Sequence, residues 1–153
     1  MHSLDEYDKQ LLRLVQENNR LTAEELAASV NLSSSAVQRR LKRLRDDQII
    51  EADVSIISTS VARLGLTCIV DVILEEGNSR ALEKFKSTLR KCPEVMQCYY
   101  VTGTYDFVLI VIVADMRQYE EFTKKILMDS PNVKHFYTHV VMDKVKQGYG
   151  IPI

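Results

Sequence analysis

The stretch Asn31-Leu-Ser-Ser-Ser-Ala-Val-Gln-Arg-Arg-Leu-Lys-Arg-Leu-Arg45 reads as a short helix with one apolar stripe and an outer face of small polar, amide and cationic side chains. At roughly 100° per residue, Val37, Leu41 and Leu44 fall within about 60° of one another, while Ser35, Arg39 and Lys42 point the opposite way. Ser33 suits the N-cap, and Leu32 before it can staple onto Val37. Residues 33–45 hold Arg39, Arg40, Lys42, Arg43 and Arg45 without one acid, although the first fifty residues balance at eight basic and eight acidic. Cationic charge is therefore concentrated on this element beyond what an ordinary solvated helix face requires. Arg40 lies about 60° from the buried stripe. It suits a structural ion pair or a phosphate on the helix flank, and no base contact is assigned to it.

Working outward, Thr22-Ala-Glu-Glu25 reads as a capping box, and Leu21 can staple to Leu26, so a second helix runs from there to about Val30. Asp5 can cap a third helix reaching about Asn18, with Tyr7, Leu11, Leu14 and Val15 at helical spacing toward the other two. Two short helices joined by a tight Asn-Leu-Ser turn, the second rich in Arg and Lys, match a helix-turn-helix unit that lays its second helix in the DNA major groove. The candidate DNA-facing residues are Ser34, Ser35, Gln38, Arg39, Lys42 and Arg43. Ser35, Gln38 and Arg39 lie in the half of the helix that would read base edges, and Lys42 suits a phosphate.

The chain has 153 residues, 46% apolar and 27% charged, which fits one globular domain or two small ones and excludes disorder and collagen. A net charge of −1 excludes nucleic-acid binding by bulk charge, so any DNA affinity must come from the local cluster. Cys68, Cys92 and Cys98 are odd in number and fit no metal spacing; they are expected to be reduced, buried and inert in a cytoplasmic protein. The acidic start Met-His-Ser-Leu-Asp-Glu-Tyr-Asp lacks the apolar core of a signal peptide, and the longest apolar run, Phe107 to Ala114, is too short for a membrane helix. Helical patterning stops after Ile50. This divides the chain into a DNA-binding domain at 1–50, a β-prone linker strand at 51–62, and a second domain at 63–153.

From Leu66 the period is two, with Leu66, Cys68, Val70, Val72 and Leu74 on one side and Thr67, Ile69, Asp71 and Ile73 on the other, as a strand requires. Glu75-Glu-Gly-Asn-Ser leads into a helix that places Leu82, Phe85 and Leu89 on one face and stops at Pro93. Val95 to Thr102 and Phe107 to Ala114 are two further strands around a hairpin at Gly103-Thr-Tyr-Asp106. Asp115 caps the next helix, with Gln118 three residues on and Met116, Tyr119, Phe122 and Ile126 inward; Pro131 ends it, and Val133 to Met142 is the last strand. The order βαββαβ gives a ferredoxin-like arrangement, with two helices on one face of an antiparallel sheet, and the fold class of the whole chain is α+β.

These strands carry apolar side chains on both sides. Met96, Cys98 and Tyr100 oppose Val95, Tyr99 and Val101, and Phe136 and Val140 oppose Val133, Tyr137 and Val141, so the face away from the helices needs a cover. The simplest cover is the same sheet from a second copy, giving a face-to-face homodimer; a lipid or flat ligand is the alternative. A twofold axis would then present two helix-turn-helix units to half-sites about one helical turn apart.

Leu4-Asp-Glu-Tyr-Asp, Asn19-Arg20-Leu-Thr, Glu25-Leu-Ala, Leu32-Ser-Ser-Ser-Ala-Val, Arg40-Leu-Lys-Arg-Leu and Ile49-Ile50, in this order and spacing, resemble the Lrp/AsnC (feast/famine) family of transcription regulators. Val101-Thr-Gly-Thr-Tyr-Asp106 and Val140-Val-Met-Asp-Lys-Val-Lys146 resemble its amino-acid-sensing (RAM, ACT-like) domain. The resemblance spans nearly the whole chain. It implies a cytoplasmic, nucleoid-associated bacterial or archaeal regulator of amino-acid metabolism that binds double-stranded DNA as a homodimer, often assembles into octamers, and takes an amino acid effector between sensing domains. Two positions depart from the family: Gln48 stands where Gly usually precedes the paired Val-Ile, and Thr104 stands where the loop usually has Asp. Gly103 allows a tight turn whose N–H groups can meet a carboxylate, and Asp106 can answer an α-ammonium. With the resemblance, the effector candidates are Gly103, Thr104 and Asp106, together with Tyr100, Thr102, Tyr105 and, from the last strand, Thr138. Without it, Gly103 and Asp106 read as a hairpin glycine and a turn cap.

An enzyme is disfavoured. His2, His135 and His139 have no cysteine or carboxylate at a recognised ligand or triad spacing, no Gly-rich phosphate loop follows a strand, and His135 and His139 read as packing residues of a strand. No metal or cofactor is expected. An architectural DNA-wrapping protein with little effector response shares every DNA-binding feature and is the alternative function.

Overall fold

The computed structural model describes residues 3–75 and 79–153, so the expected lead-in Glu76-Gly-Asn78 and His2 lie outside the described residues. The chain divides into a helical unit, up to Ile56 together with Lys146–Ile153, and a sheet unit, Ile57–Val145. No helix among the described residues is long and apolar enough to cross a membrane.

The helical unit contains α1 (Glu6–Glu17), α2 (Ala23–Val30) and α3 (Ser34–Asp46). Each start is fixed locally. The Asp8 N–H donates to Asp5 Oδ1 at 2.8 Å, while the Asp5 N–H donates back to Asp8 Oδ2 at 3.3 Å. Thr22 and Glu25 exchange the corresponding bonds at α2, and Ser33 Oγ accepts the Ala36 N–H at α3. Between α2 and α3, Asn31 turns the chain at φ +54°, a left-handed conformation that asparagine tolerates better than most residues. Leu11, Leu26, Val30, Val37, Leu41 and Leu44 form the core, and Leu12 joins them. Tyr7, expected to face inward, is 42% exposed.

The exit of α3 is closed by a helix-ending pair of bonds: the Ile49 N–H reaches Leu44 O at 2.9 Å and the Gln48 N–H reaches Arg45 O at 3.0 Å. This motif places its penultimate residue in the left-handed region, and Gln48 has φ +57°. A glycine would occupy that conformation without Cβ strain.

The expected linker strand does not form. Glu51–Ser58 has no strand pairing, and Val54, Ile56 and Ile57 are exposed, because β-prone residues make no ladder without a neighbouring strand. The last residues also depart from the expected partition. Lys146–Ile153 lies with the helical unit: the Ile151 N–H donates to Gln16 Oε1 at 2.7 Å, Arg13 Nε donates to Ile153 O at 2.8 Å, and the Ile153 side chain packs on the helical core.

The sheet unit runs β1 (Leu66–Leu74), α4 (Ser79–Arg90), β2 (Val95–Tyr100), β3 (Phe107–Val113), α5 (Met116–Thr123) continued by a π-helical turn Lys124–Met128, and β4 (Val133–Val140). The four strands pair antiparallel in the order β2-β3-β1-β4, the ferredoxin-like arrangement. Phe85 and Leu89 of α4, with Tyr119 and Phe122 of α5, close over Cys68, Val70, Val72, Phe107, Leu109 and Val111. Met116 was expected to face inward with them, yet it is 57% exposed at the first position of α5. Cys68 and Cys92 are buried as expected, and burial pushes the Cys92 thiol up to about 11. Cys98, on the edge strand β2, is exposed instead.

The register assigns the opposite face to Tyr99, Val108, Ile110, Thr67, Ile69, Asp71, Ile73, His135, Tyr137 and His139. Neither α4 nor α5 covers these side chains. Asp71 is only 9% exposed, and His139 Nε2 lies 2.9 Å from Asp71 Oδ2. His135 and His139 are exposed, so they are not the packing residues that the sequence suggests; both stand on an edge strand facing away from the helices.

The strained exit of α3 yields a stability test. Gln48→Gly relieves the left-handed side chain and should raise the unfolding free energy by about 0.5–1 kcal/mol, part of the relief being offset by greater freedom in the unfolded chain. Urea unfolding of the two proteins measures it, and a less stable Gln48→Gly protein would contradict this account of the turn.

Candidate nucleic-acid interface and ligand loop

Four cations of α3 have partners that divide the helix into a free side and a tied side. Arg40 bonds both Asp5 Oδ2 at 2.7 Å and Asp8 Oδ1 at 2.8 Å, and its guanidinium lies over the Tyr7 ring. Arg40 is therefore the structural pair that its angular position suggested. The Asp8 N–H and Arg40 together hold the Asp5 carboxyl below the usual carboxylate range. Arg45 bonds Asp53, which also accepts from Asn19, and the Arg45 hydrogen bond holds the Asp53 carboxyl low.

Arg43, expected to face DNA, is half exposed and tied to α1. Its Nη2 sits 2.6 Å from Oδ2 of Asp8, a carboxylate only 1% exposed, and moving the guanidinium away would strip a buried charge of one of its two cations. Lys42 pairs with Asp46 one turn along α3, but both are exposed, so this contact is weak and readily exchanged for a phosphate.

Ser35, Gln38 and Arg39 are exposed on the side opposite the core, and Ser34 is half-buried at the first helical position. Among the described residues, no ion pair or side-chain hydrogen bond engages Arg39 or Gln38. A free guanidinium fork beside a free amide can make the paired donor and acceptor contacts that base edges require.

In the sheet unit the Gly103–Asp106 loop joins β2 to β3, with Gly103 at φ +121° and open space where a Cβ would stand. Asp106 ties this loop to the end of β1: its Oδ2 accepts the Leu74 N–H at 2.7 Å, and its own N–H donates to Val72 O at 2.9 Å. One carboxylate oxygen is thus occupied, while the other has no hydrogen-bond partner among the described residues. Thr102, Gly103 and Thr104 are exposed, Tyr105 and Asp106 are half-buried, and the Tyr105 ring meets that of Tyr137 at 5.9 Å. Tyr137 was not among the expected ligand residues; its alternation in β4, on the face away from the helices, was the available signal.

Two expected loop partners lie elsewhere. Tyr100 packs against Phe107 with the Lys86 ammonium over its ring, on the α4 side of the sheet. The Thr138 hydroxyl hydrogen-bonds the Tyr119 hydroxyl of α5 at 2.5 Å, in register with Val70 of the helix-covered face. The structure therefore gathers Thr102–Asp106 with Tyr137 and separates Tyr100 and Thr138 from them.

A helix-turn-helix with a free polar row on its second helix, followed by a ferredoxin-like sheet domain, defines a two-domain DNA-binding regulator. The chain belongs to the Lrp/AsnC family of transcriptional regulators: residues 67–151 match the Lrp/AsnC ligand binding domain and residues 4–51 match a winged helix-turn-helix DNA-binding domain. It is 51% identical over 150 residues to the uncharacterized HTH-type transcriptional regulator y4tD of Sinorhizobium fredii, covering 98% of this chain and 89% of that protein. Its identity to the DNA-binding transcriptional activator DecR of Escherichia coli K12 is 33%, covering 98% and 99% of the two chains. The solved structure of the transcriptional regulator NMB0573/L-Met complex from Neisseria meningitidis superposes with a TM-score of 0.93 at 33% identity, covering 98% of this chain and 97% of that one.

The two roles of the α3 cations are separable. Arg43→Ala should lower stability by about 1–2 kcal/mol, a charged hydrogen bond discounted for the half-exposed guanidinium. The ratio of specific to random DNA affinity should stay unchanged. Urea unfolding alongside fluorescence anisotropy on both DNAs checks this, and a collapse of the ratio at full stability would show that Arg43 contacts DNA.

Proposed function

We propose that this regulator reads its operator with Ser35, Gln38 and Arg39, holds phosphates with Ser34 and Lys42, and responds to an amino acid bound at the Gly103–Asp106 loop. The observation that carries the DNA part is the division of α3 just described, in which Arg40, Arg43 and Arg45 are consumed by carboxylates while Arg39 is left free on the outward side. The amino acid is supported by the L-Met complex of the Neisseria meningitidis relative and by the loop chemistry, where an Asp106 oxygen can meet the α-ammonium and exposed loop N–H groups can donate to the carboxylate. The working unit is a homodimer formed across the uncovered sheet face, with further assembly to octamers. That face, with Ile69, Ile73, Val108, Ile110, Tyr99 and Tyr137, is apolar enough to favour burial. We place the protein in the cytoplasm, associated with the nucleoid.

The DNA reading is tested by selecting an operator from a random pool and measuring Arg39→Ala against it. Loss of a bidentate base contact should cost about 1–3 kcal/mol on the selected site and little on random DNA, whereas Lys42→Ala should weaken both alike and flatten the salt slope by about 1. Unchanged preference in Arg39→Ala would overturn the orientation.

The effector reading is tested with Asp106→Asn, which keeps an oxygen for the Leu74 N–H while removing the charge. After a thermal-shift screen of the twenty amino acids, L-Met among them, operator binding is titrated with the ligand found. Asp106→Asn should need about tenfold more ligand or more for the same response, with unliganded DNA binding preserved. Wild-type sensitivity in Asp106→Asn would reduce Asp106 to a turn anchor. No response to any amino acid would favour the architectural alternative.

A further inference from the structure

At the end of the sheet unit opposite the Gly103–Asp106 loop, the turn before β1 and the segment after β4 flank an open cleft of about 490 Å³. Arg63, Lys144 and Asp143 line it, with the hydroxyls of Ser60 and Thr67 and the apolar side chain of Val141. The loop meets β1 at Val72 and Leu74, while the cleft takes in Thr67, five residues earlier, so the two places are roughly 16 Å or more apart along the strand.

Two observations bear on what this cleft could hold. The first concerns the backbone at Arg63. The Arg63 N–H bonds Ser60 O at 3.2 Å and the Leu64 N–H bonds Thr59 O at 2.9 Å, closing a turn that holds Arg63 at φ +54°. That conformation suits glycine or asparagine, and a long cationic residue kept in it marks a position over-determined by its surroundings. The second concerns charge. Arg40, Lys42, Arg43 and Arg45 all have carboxylate partners, yet among the described residues no ion pair engages Arg63, Lys144 or Asp143, although all three line one cleft.

We propose that this cleft is a second ligand site, separate from the Gly103–Asp106 loop, that binds an acidic α-amino acid. Two cations and one carboxylate call for a ligand with two carboxylates and one ammonium. The Arg63 guanidinium can clamp one carboxylate through two parallel N–H bonds, and Lys144 meets the other. Asp143 takes the ammonium, and the Ser60 hydroxyl supplies a neutral hydrogen bond. A dicarboxylate without the amine would leave Asp143 facing like charge, so the set discriminates against it.

The test is isothermal titration calorimetry on the full-length protein at neutral pH with L-glutamate, L-aspartate, succinate and inorganic phosphate. L-glutamate or L-aspartate should bind, with succinate and phosphate at least about tenfold weaker. Arg63→Gly removes the cation and fits the turn, and it should weaken that binding about tenfold or more while circular dichroism and the unfolding midpoint show an intact fold. Lys144→Gln provides a second loss that does not involve the turn. Asp143→Asn should erase the preference for L-aspartate over succinate. Asp106→Asn should leave the affinity within about twofold, separating this site from the loop. The proposal is overturned if neither amino acid binds at millimolar concentration, if succinate or phosphate binds as tightly, if Arg63→Gly and Lys144→Gln bind like the wild type, or if Asp106→Asn alone abolishes binding.

Discussion

A four-stranded sheet has two faces, and α4 and α5 cover one of them. On the covered face Cys68, Val70, Val72, Leu109 and Val111 are fully buried. On the other, Val108, Ile110, Ile69 and Ile73 remain partly exposed between Tyr99 and Tyr137, each about half exposed. A soluble sheet left open on one side would carry polar residues there; burial of this apolar surface is worth about 25 cal/mol per Å². Asp71 belongs to the same face and keeps His139 at hydrogen-bond distance, so polar groups, with Thr67 and His135, are set into a largely apolar surface. The proposed homodimer meets this constraint, and it supplies the two helix-turn-helix units that a pseudo-palindromic operator requires.

The helical unit depends on a different device. The Asp8 carboxylate accepts the Asp5 N–H in the capping box of α1 and binds Arg40 and Arg43 of α3, so one nearly inaccessible carboxylate ties the start of one helix to the rotation of the other. Rotation matters because it decides which side chains can enter a groove. With Arg40 and Arg43 turned toward Asp8, the row that remains is Ser35, Gln38, Arg39 and Lys42. These two consequences of Asp8, a rigid core and a selected outer row, are how an almost neutral chain can present a small cationic surface to DNA.

Features set by near neighbours were legible in the sequence. The caps at Thr22 and Ser33, the stripe of Val37, Leu41 and Leu44 and the period-two strands all depend on residues within a few positions of one another, whereas Gln48 stood out only as a departure from the family's usual glycine. What was not legible depends on chain separation. Arg43 meets Asp8 across 35 residues and Ile151 meets Gln16 across 135, and no local pattern announces either contact. Cys98 and the strand histidines alternate like core residues but stand on edge strands, so periodicity alone overstates their burial. Among the ligand candidates, the loop Thr102–Asp106 was readable as a hairpin, whereas the separation of Tyr100 and Thr138 from it depends on which face of the sheet each occupies.

Sedimentation velocity on the full-length protein at micromolar concentration, beside Ile110→Asp, tests the uncovered face most directly. Ile110 points away from the helices, so the substitution leaves the core of the sheet unit in place while setting a charge at the centre of the proposed interface. The wild type should sediment as a dimer or a larger assembly, and Ile110→Asp should shift toward a folded monomer with weakened operator binding. A wild type that sediments as a folded, monodisperse monomer, or an Ile110→Asp protein whose assembly is unchanged, would contradict the account.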